Sequence, residues 1–186
     1  DAAGSDIVIL TSGSARKPGQ TRIDLAQKNI DITKSIIPKI VQYAPDSIYI
    51  IVSNPVDILT YQFCKYSGLP ENQIIGSGTI LDTARLRTRL SEYFNISQQN
   101  VHAYVFGEHG DTSFVPWSCA TISNIAIDKY MQCLRDGDDT LRPVLDHDEI
   151  ETYIKKSGAK IIARKGATFY AVAISVCHIC RCILRN

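Results

Sequence analysis

The chain has 186 residues, enough for one sizeable domain or for parts of two. Hydrophobic residues make up 45% and charged residues 21%, and the formal net charge is +1, so no basic or acidic balance points to nucleic acid or to a membrane surface. No apolar run approaches the roughly 18–20 residues of a membrane span, and the six cysteines lack the spacing of a secreted disulfide scaffold, which reads as reduced thiols in a cytosolic protein.

The chain opens DAAGSD, without the basic stretch and long apolar region of a signal peptide. Residues 6–12 (DIVILTS) form a continuous apolar run, as expected of a parallel strand covered on both faces. Opening on a core strand and closing abruptly on an apolar helix is the pattern of a fragment cut at both ends. A Gly/Pro/basic loop follows at 13–21. From Arg22 to about Ala44, Ile23, Ala26, Ile30, Ile36, Ile37, Ile40 and Val41 recur at helical spacing, with Pro38 expected to kink the helix or start a new turn. Ser47–Val52 is a second buried strand, and a helix between two such strands makes a βαβ unit with a parallel sheet. The pattern then predicts a helix over about 57–67 ended by Gly68, a short strand at 74–75 and a helix over about 80–94. A strand at 101–106, further β-structure at 113–122, a polar irregular loop at 131–145 and helices over about 146–163 and 167–184 complete the chain. It is parallel α/β up to about residue 76 and mixed α+β after it, with a boundary expected at Gly76-Ser77-Gly78.

Polar groups follow the strands, where open parallel sheets place their ligands. The Arg16–Arg22 loop follows the first strand, Asn54 the second, and His109 a later one, between Gly107 and Gly110. Histidine suits proton exchange near neutral pH, and glycines let backbone approach a ligand. A solvent-facing turn histidine is the bland alternative. Asp82 and Arg85 lie three apart in LDTAR and share a helix face, which alone is better explained by a surface ion pair. Arginines on a loop offer a planar clamp for carboxylate, or merely a solvated basic loop. In Cys177-His178-Ile179-Cys180-Arg181-Cys182, Cys177 and Cys180 share a helix face while Cys182 points elsewhere, and no second cluster completes a tetrahedral set, so no metal is expected. There is no G-x-S-x-G, G-x-G-x-x-G or Walker A sequence.

The ordered set TSG, RKPGQTR, NPVDILTY, GSGT, LDTAR and GEHGDT closely resembles the L-lactate/malate dehydrogenase family over essentially the whole chain, with the bacterial L-lactate branch the more similar. The resemblance implies the second half of a Rossmann-type parallel sheet in residues 1–76. It implies most of the α+β C-terminal domain in 77–186, short of its closing helix. It further implies a cytoplasmic, NAD-dependent 2-hydroxy acid dehydrogenase of glycolysis and carboxylic acid metabolism, a homotetramer or dimer when full length. In that reading His109 exchanges the proton with the substrate oxygen, and Asp82 orients its ring and raises its basicity. Arg85 clamps the substrate carboxylate, Arg22 polarises the carbonyl as its loop closes, and Asn54 hydrogen-bonds the substrate oxygen. Thr168 lines the substrate pocket, and Ser35, Val52, Ser53, Asn54 and Ser77 serve the cofactor. Arg87 and His102 resemble the pair that binds fructose 1,6-bisphosphate between subunits, a cationic pair suited to phosphate.

One departure bears on substrate. Arg16 stands where lactate dehydrogenases typically carry Gln and malate dehydrogenases Arg, and an Arg is satisfied by a second carboxylate rather than a methyl group. The other features favour lactate. A second departure is that the family's Gly-rich phosphate loop and ribose-binding acid fall before residue 1, so the 186-residue chain alone is expected to bind NAD weakly and turn over poorly. A non-catalytic protein on a dehydrogenase scaffold is the alternative of another class, though a structural role does not require His109, Asp82, Arg85, Arg22 and Asn54 together.

Overall fold

The computed structural model describes residues 2–14, 22–135 and 144–185, for residues 22–25 the backbone alone. The chain divides into two compact units, Asp1–Gly78 with Phe169–Asn186, and Thr79–Thr168.

In the first unit, β1 (Ile7–Leu10), β2 (Ile48–Ile51) and β3 (Ile74–Gly76) form a parallel sheet in that order. Helix α1 (Arg22–Tyr43) connects β1 to β2, and α2 (Val56–Ser67) leads from β2 towards β3. The apolar sequence of β2 reflects its central place: Tyr49, Ile50 and Ile51 are buried. The expectation of two covered faces fails for β1. It has one strand neighbour among the described residues, and Ile9 is 44% exposed. Ile37, Leu59 and Phe63 pack with Tyr49, Ile51 and Ile74 as the core, and the Tyr49 hydroxyl donates to Ala44 O at 2.8 Å. Burial pushes the Tyr49 phenol above its ordinary value. Pro38 lies inside α1, which continues through it to Tyr43. Gly68 ends α2 in the left-handed conformation, φ 71°, which an L side chain resists. Gly76 is required for space: a Cβ there would sit 2.6 Å from Thr60 Oγ1.

In the second unit, α3 (Ile80–Phe94) packs on α5 (His147–Lys165) and on β4 (Val101–His102). Strands β4, β5 (Thr121–Ile122) and β6 (Ile125–Ala126) form an antiparallel sheet. Leu86, Leu90 and Phe94 of α3 meet Val101, Ile122 and Ile154 in the core. The strand expected at 101–106 is shorter, because past His102 its only ladder contact among the described residues is the isolated pairing of Phe106 with Phe114. The loop expected at 131–145 is corrected at 131–135, which belongs to helix α4 (Ile127–Arg135), with Ile127 and Met131 buried one turn apart, so four-residue apolar spacing outweighed the polar composition there; residues 136–143 lie outside the described residues. Asp146 caps α5 by accepting from Glu149 N at 3.0 Å. At the start of α5, His147 stacks on Trp117, rings 3.9 Å apart and 5° from parallel, and Trp117 Nε1 donates to Glu151 Oε1 at 2.9 Å. Helix α6 (Tyr170–Arg185) clusters with the first unit. Among the described residues, no helix is long and apolar enough to cross a membrane.

Candidate active site

Helix α3 carries Asp82 in its first turn, 5% exposed, and Arg85 one turn later. One carboxylate serves two partners: Oδ1 accepts from Arg85 Nη1 at 3.0 Å, and Oδ2 lies 2.6 Å from His109 Nδ1. LDTAR and GEHGDT, read separately in the sequence, thus meet at Asp82. A carboxylate oxygen only accepts, so the Nδ1 hydrogen points at Asp82 and Nε2 is the nitrogen placed for proton exchange.

Why His109 sits there follows from its loop. Phe106 and Phe114 exchange backbone hydrogen bonds at 2.8 and 3.0 Å, which closes residues 107–113 into a compact loop. Gly107 turns the chain with φ +87°, where a side chain is strained. Inside the loop Thr112 Oγ1 donates to Glu108 Oε2 at 2.7 Å, and Ser113 Oγ to Gly110 O at 2.9 Å. Two threonines that the sequence reading missed fasten the approach to the loop. Thr79 Oγ1 donates to Val105 O at 2.6 Å, and Val105 N donates to Thr83 Oγ1 at 3.0 Å. Their four-residue spacing on one helix face was the available signal.

In the first unit, Val52, Ser53 and Asn54 follow β2, Asn54 exposed and the other two half-buried. Ser53 Oγ donates to Ser12 O at 2.7 Å, and Asn54 Oδ1 accepts from Val56 N at 3.3 Å. Ser77, past β3, donates its N–H to Ile51 O at 2.8 Å. Ser35 is exposed on α1 and donates to Ile32 O at 2.7 Å. Asn29, also missed, is buried beneath these loops, bonded to Ser14 and Asn54. Arg16 lies outside the described residues, and Arg22 opens α1 with its side chain outside them. Thr168 is half-buried between α5 and α6. Arg87 donates Nε to O of Ala103, the residue after exposed His102, at 3.1 Å and stacks 4.6 Å from the Tyr104 ring.

All six cysteines are free thiols. Burial, with Glu71 adding in the same sense, pushes the Cys64 thiol up, which disfavours the nucleophilic thiolate there. Cys177 and Cys180 line one groove beside Ile9, while Cys182 Sγ lies 3.7 Å from His178 Nε2. The described residues contain no group of three or more His, Cys, Asp or Glu able to hold a metal ion.

Residues 1–76 match the family model described as lactate/malate dehydrogenase, NAD binding domain, and residues 79–186 the one described as lactate/malate dehydrogenase, alpha/beta C-terminal domain. The chain belongs to the lactate/malate dehydrogenase family. Among curated relatives, the L-lactate dehydrogenase of Acetivibrio thermocellus is 48% identical over 186 residues, all of this chain and 57% of that protein. L-lactate dehydrogenase 1 of Clostridium acetobutylicum is 46% identical over 187 residues, all of this chain and 58% of that protein. The solved L-lactate dehydrogenase of Clostridium thermocellum is 39% identical with a TM-score of 0.81, over 96% of this chain and 54% of that one. The chain therefore spans just over half the length of the relatives it matches.

Proposed function

We propose that this chain carries the substrate-binding and nicotinamide-side part of an NAD-dependent L-lactate dehydrogenase, interconverting pyruvate and L-lactate. The observation that carries the proposal is the single buried carboxylate of Asp82 holding both His109, at 2.6 Å, and Arg85, at 3.0 Å. The names of the relatives support the substrate.

NAD, when bound, supplies or takes up the hydride. The groups after the three parallel strands suit it: the exposed amide of Asn54 and the half-buried Val52, Ser53 and Ser77 stand at the carboxyl ends of β2 and β3, where such sheets bind ligands. Ser35 on α1 completes the cofactor set of this proposal. His109 Nε2 gives its proton to the carbonyl oxygen in reduction and takes it back in oxidation. Asp82 fixes the ring's tautomer and balances the imidazolium charge. Arg85, itself held by Asp82, turns its remaining donors to the substrate carboxylate. Asn54 and Arg22 hydrogen-bond the oxygen on which negative charge develops. Thr168 lines the pocket, and Arg16 stands beside the substituent that distinguishes one 2-oxo acid from another. We place the domain boundary at 76–77, the enzyme in the cytoplasm, and the full-length protein in a homotetramer or dimer. Arg87 of α3, bonded to Ala103 O, and exposed His102 of β4 are proposed to take fructose 1,6-bisphosphate.

Malate is the second reading, favoured by Arg16 alone. The test is NADH oxidation by the full-length protein with pyruvate and with oxaloacetate, using His109→Asn as control. Pyruvate turnover that His109→Asn abolishes is expected. Undiminished turnover in that variant overturns the assignment of His109, and a preference for oxaloacetate establishes the malate reading.

A further inference from the structure

We propose that Asn29 is a positioning residue, whose one side-chain amide sets Asn54 and the chain at Ser14 in register for the reaction. This inference rests on the dehydrogenase reading above. Asn29 lies on α1 and is 2% exposed. Burying an amide there costs about 1–3 kcal/mol unless it is hydrogen-bonded. It is bonded through both of its ends. Oδ1 accepts from Ser14 N at 2.7 Å, and Nδ2 donates to Asn54 O at 2.7 Å and to Ser14 O at 3.4 Å. One planar group thereby spans the chain after β1 and the chain after β2.

The surroundings are shaped to this amide. A Cβ on Gly13 would lie 3.3 Å from Asn29 Oδ1 and 3.4 Å from its Cγ and Nδ2, so the absence of a side chain at 13 leaves the amide its place. Ser53 Oγ donates to Ser12 O at 2.7 Å, fastening the same two segments, and Lys28 Nζ of α1 donates to Ser14 Oγ at 3.1 Å, tying the first of them to the helix that carries Asn29. Asn54 Oδ1 accepts from Val56 N, so where the Asn54 backbone goes, its side-chain amide follows. A residue kept only for packing here requires neither donor nor acceptor. The pairing found needs both at once, on opposite edges of one plane. Asn29 touches neither substrate nor cofactor, and it acts through Asn54.

Two variants test this in the full-length protein. Asn29→Ala removes the amide. Gly13→Ala keeps it but forces it aside by a few tenths of an ångström. A misplacement approaching 1 Å costs roughly 10²-fold in rate. Asn29→Ala is therefore expected to lower kcat for pyruvate about 10²-fold, and Gly13→Ala roughly tenfold, with KM for NADH changed less than about threefold. Adding Gly13→Ala to Asn29→Ala is expected to cost nothing further, since the group it displaces is gone. If Asn29→Ala does not fold, Gly13→Ala decides alone. A kcat within threefold of wild type in the single variants that fold overturns the proposal. If the wild-type protein oxidises NADH with no 2-oxo acid, the functional reading fails on its own account. Amide hydrogen exchange then decides Asn29: loss of protection at Ser14 and Val56 N–H in either variant supports the positioning role, and unchanged protection at both overturns it.

Discussion

Asp82→Asn exchanges one carboxylate oxygen for an NH2 group at constant volume, in a side chain that is 5% exposed. Both oxygens are in use, at 2.6 Å from His109 Nδ1 and 3.0 Å from Arg85 Nη1. Asparagine keeps one acceptor. If it faces Arg85, the NH2 group meets His109 and forces Nδ1 to become an acceptor, which moves the hydrogen to Nε2 and leaves no charge to balance an imidazolium. If it faces His109, the guanidinium of Arg85 meets a donor and loses its orientation. A charge-assisted hydrogen bond of this kind contributes about 1.5–3 kcal/mol. Losing about 3 kcal/mol from the transition state lowers kcat/KM roughly 10²-fold, at 1.36 kcal/mol per factor of ten. The assay is initial-rate NADH oxidation with pyruvate, with thermal unfolding as control for the fold. A variant within threefold of wild type in kcat/KM would refute the role given to Asp82.

Arg16→Gln is expected to raise the pyruvate-to-oxaloacetate ratio of kcat/KM by roughly tenfold or more, since it removes the charge that a second carboxylate satisfies. An unchanged ratio sinks the specificity argument. Gly76→Ala places a Cβ 2.6 Å from Thr60 Oγ1, which donates to Val56 O at 2.7 Å, so the threonine must rotate and lose that bond. Urea unfolding should show a loss of about 1–2 kcal/mol, and adding Thr60→Ala should leave no further penalty at position 76. The Tyr49 phenol is raised above 10.0 by burial, so its neutral form belongs to the folded state. That contribution is present below pH 10.0 and declines as pH rises towards the folded value. Tyr49→Phe should lose about 1 kcal/mol near neutral pH with the bond to Ala44 O, and flatten the alkaline limb of the stability curve.

The parallel half of the fold was legible because its signals were strong and local. SIYIIV is a run with no polar gap, and a long amphipathic helix before it leaves one topology. The strand at 101–106 was less so, because backbone pairing there depends on where residue 114 returns, a contact no local pattern encodes. At 131–135, Gln132 and Arg135 at the head of a polar stretch suggested a loop, whereas the four-residue spacing of Ile127 and Met131 is what the core responds to. The site divides in the same way. His109, Asp82 and Arg85 stand out by residue type, and their meeting at one carboxylate is a tertiary fact that only the resemblance anticipated. Asn29, Thr79 and Thr83 look like ordinary helix residues, and their value lies in bonds to backbone 22 to 26 positions distant, to which residue type gives no clue.

The stacked pair of Trp117 and His147 gives this molecule a built-in optical label. The chain has one tryptophan, and it lies in the unit Thr79–Thr168. Its emission therefore follows that unit alone, whereas far-ultraviolet dichroism sums the helices of both. Denaturant titrations read by the two signals coincide only if the units melt as one cooperative body, and they separate if each holds its own free energy.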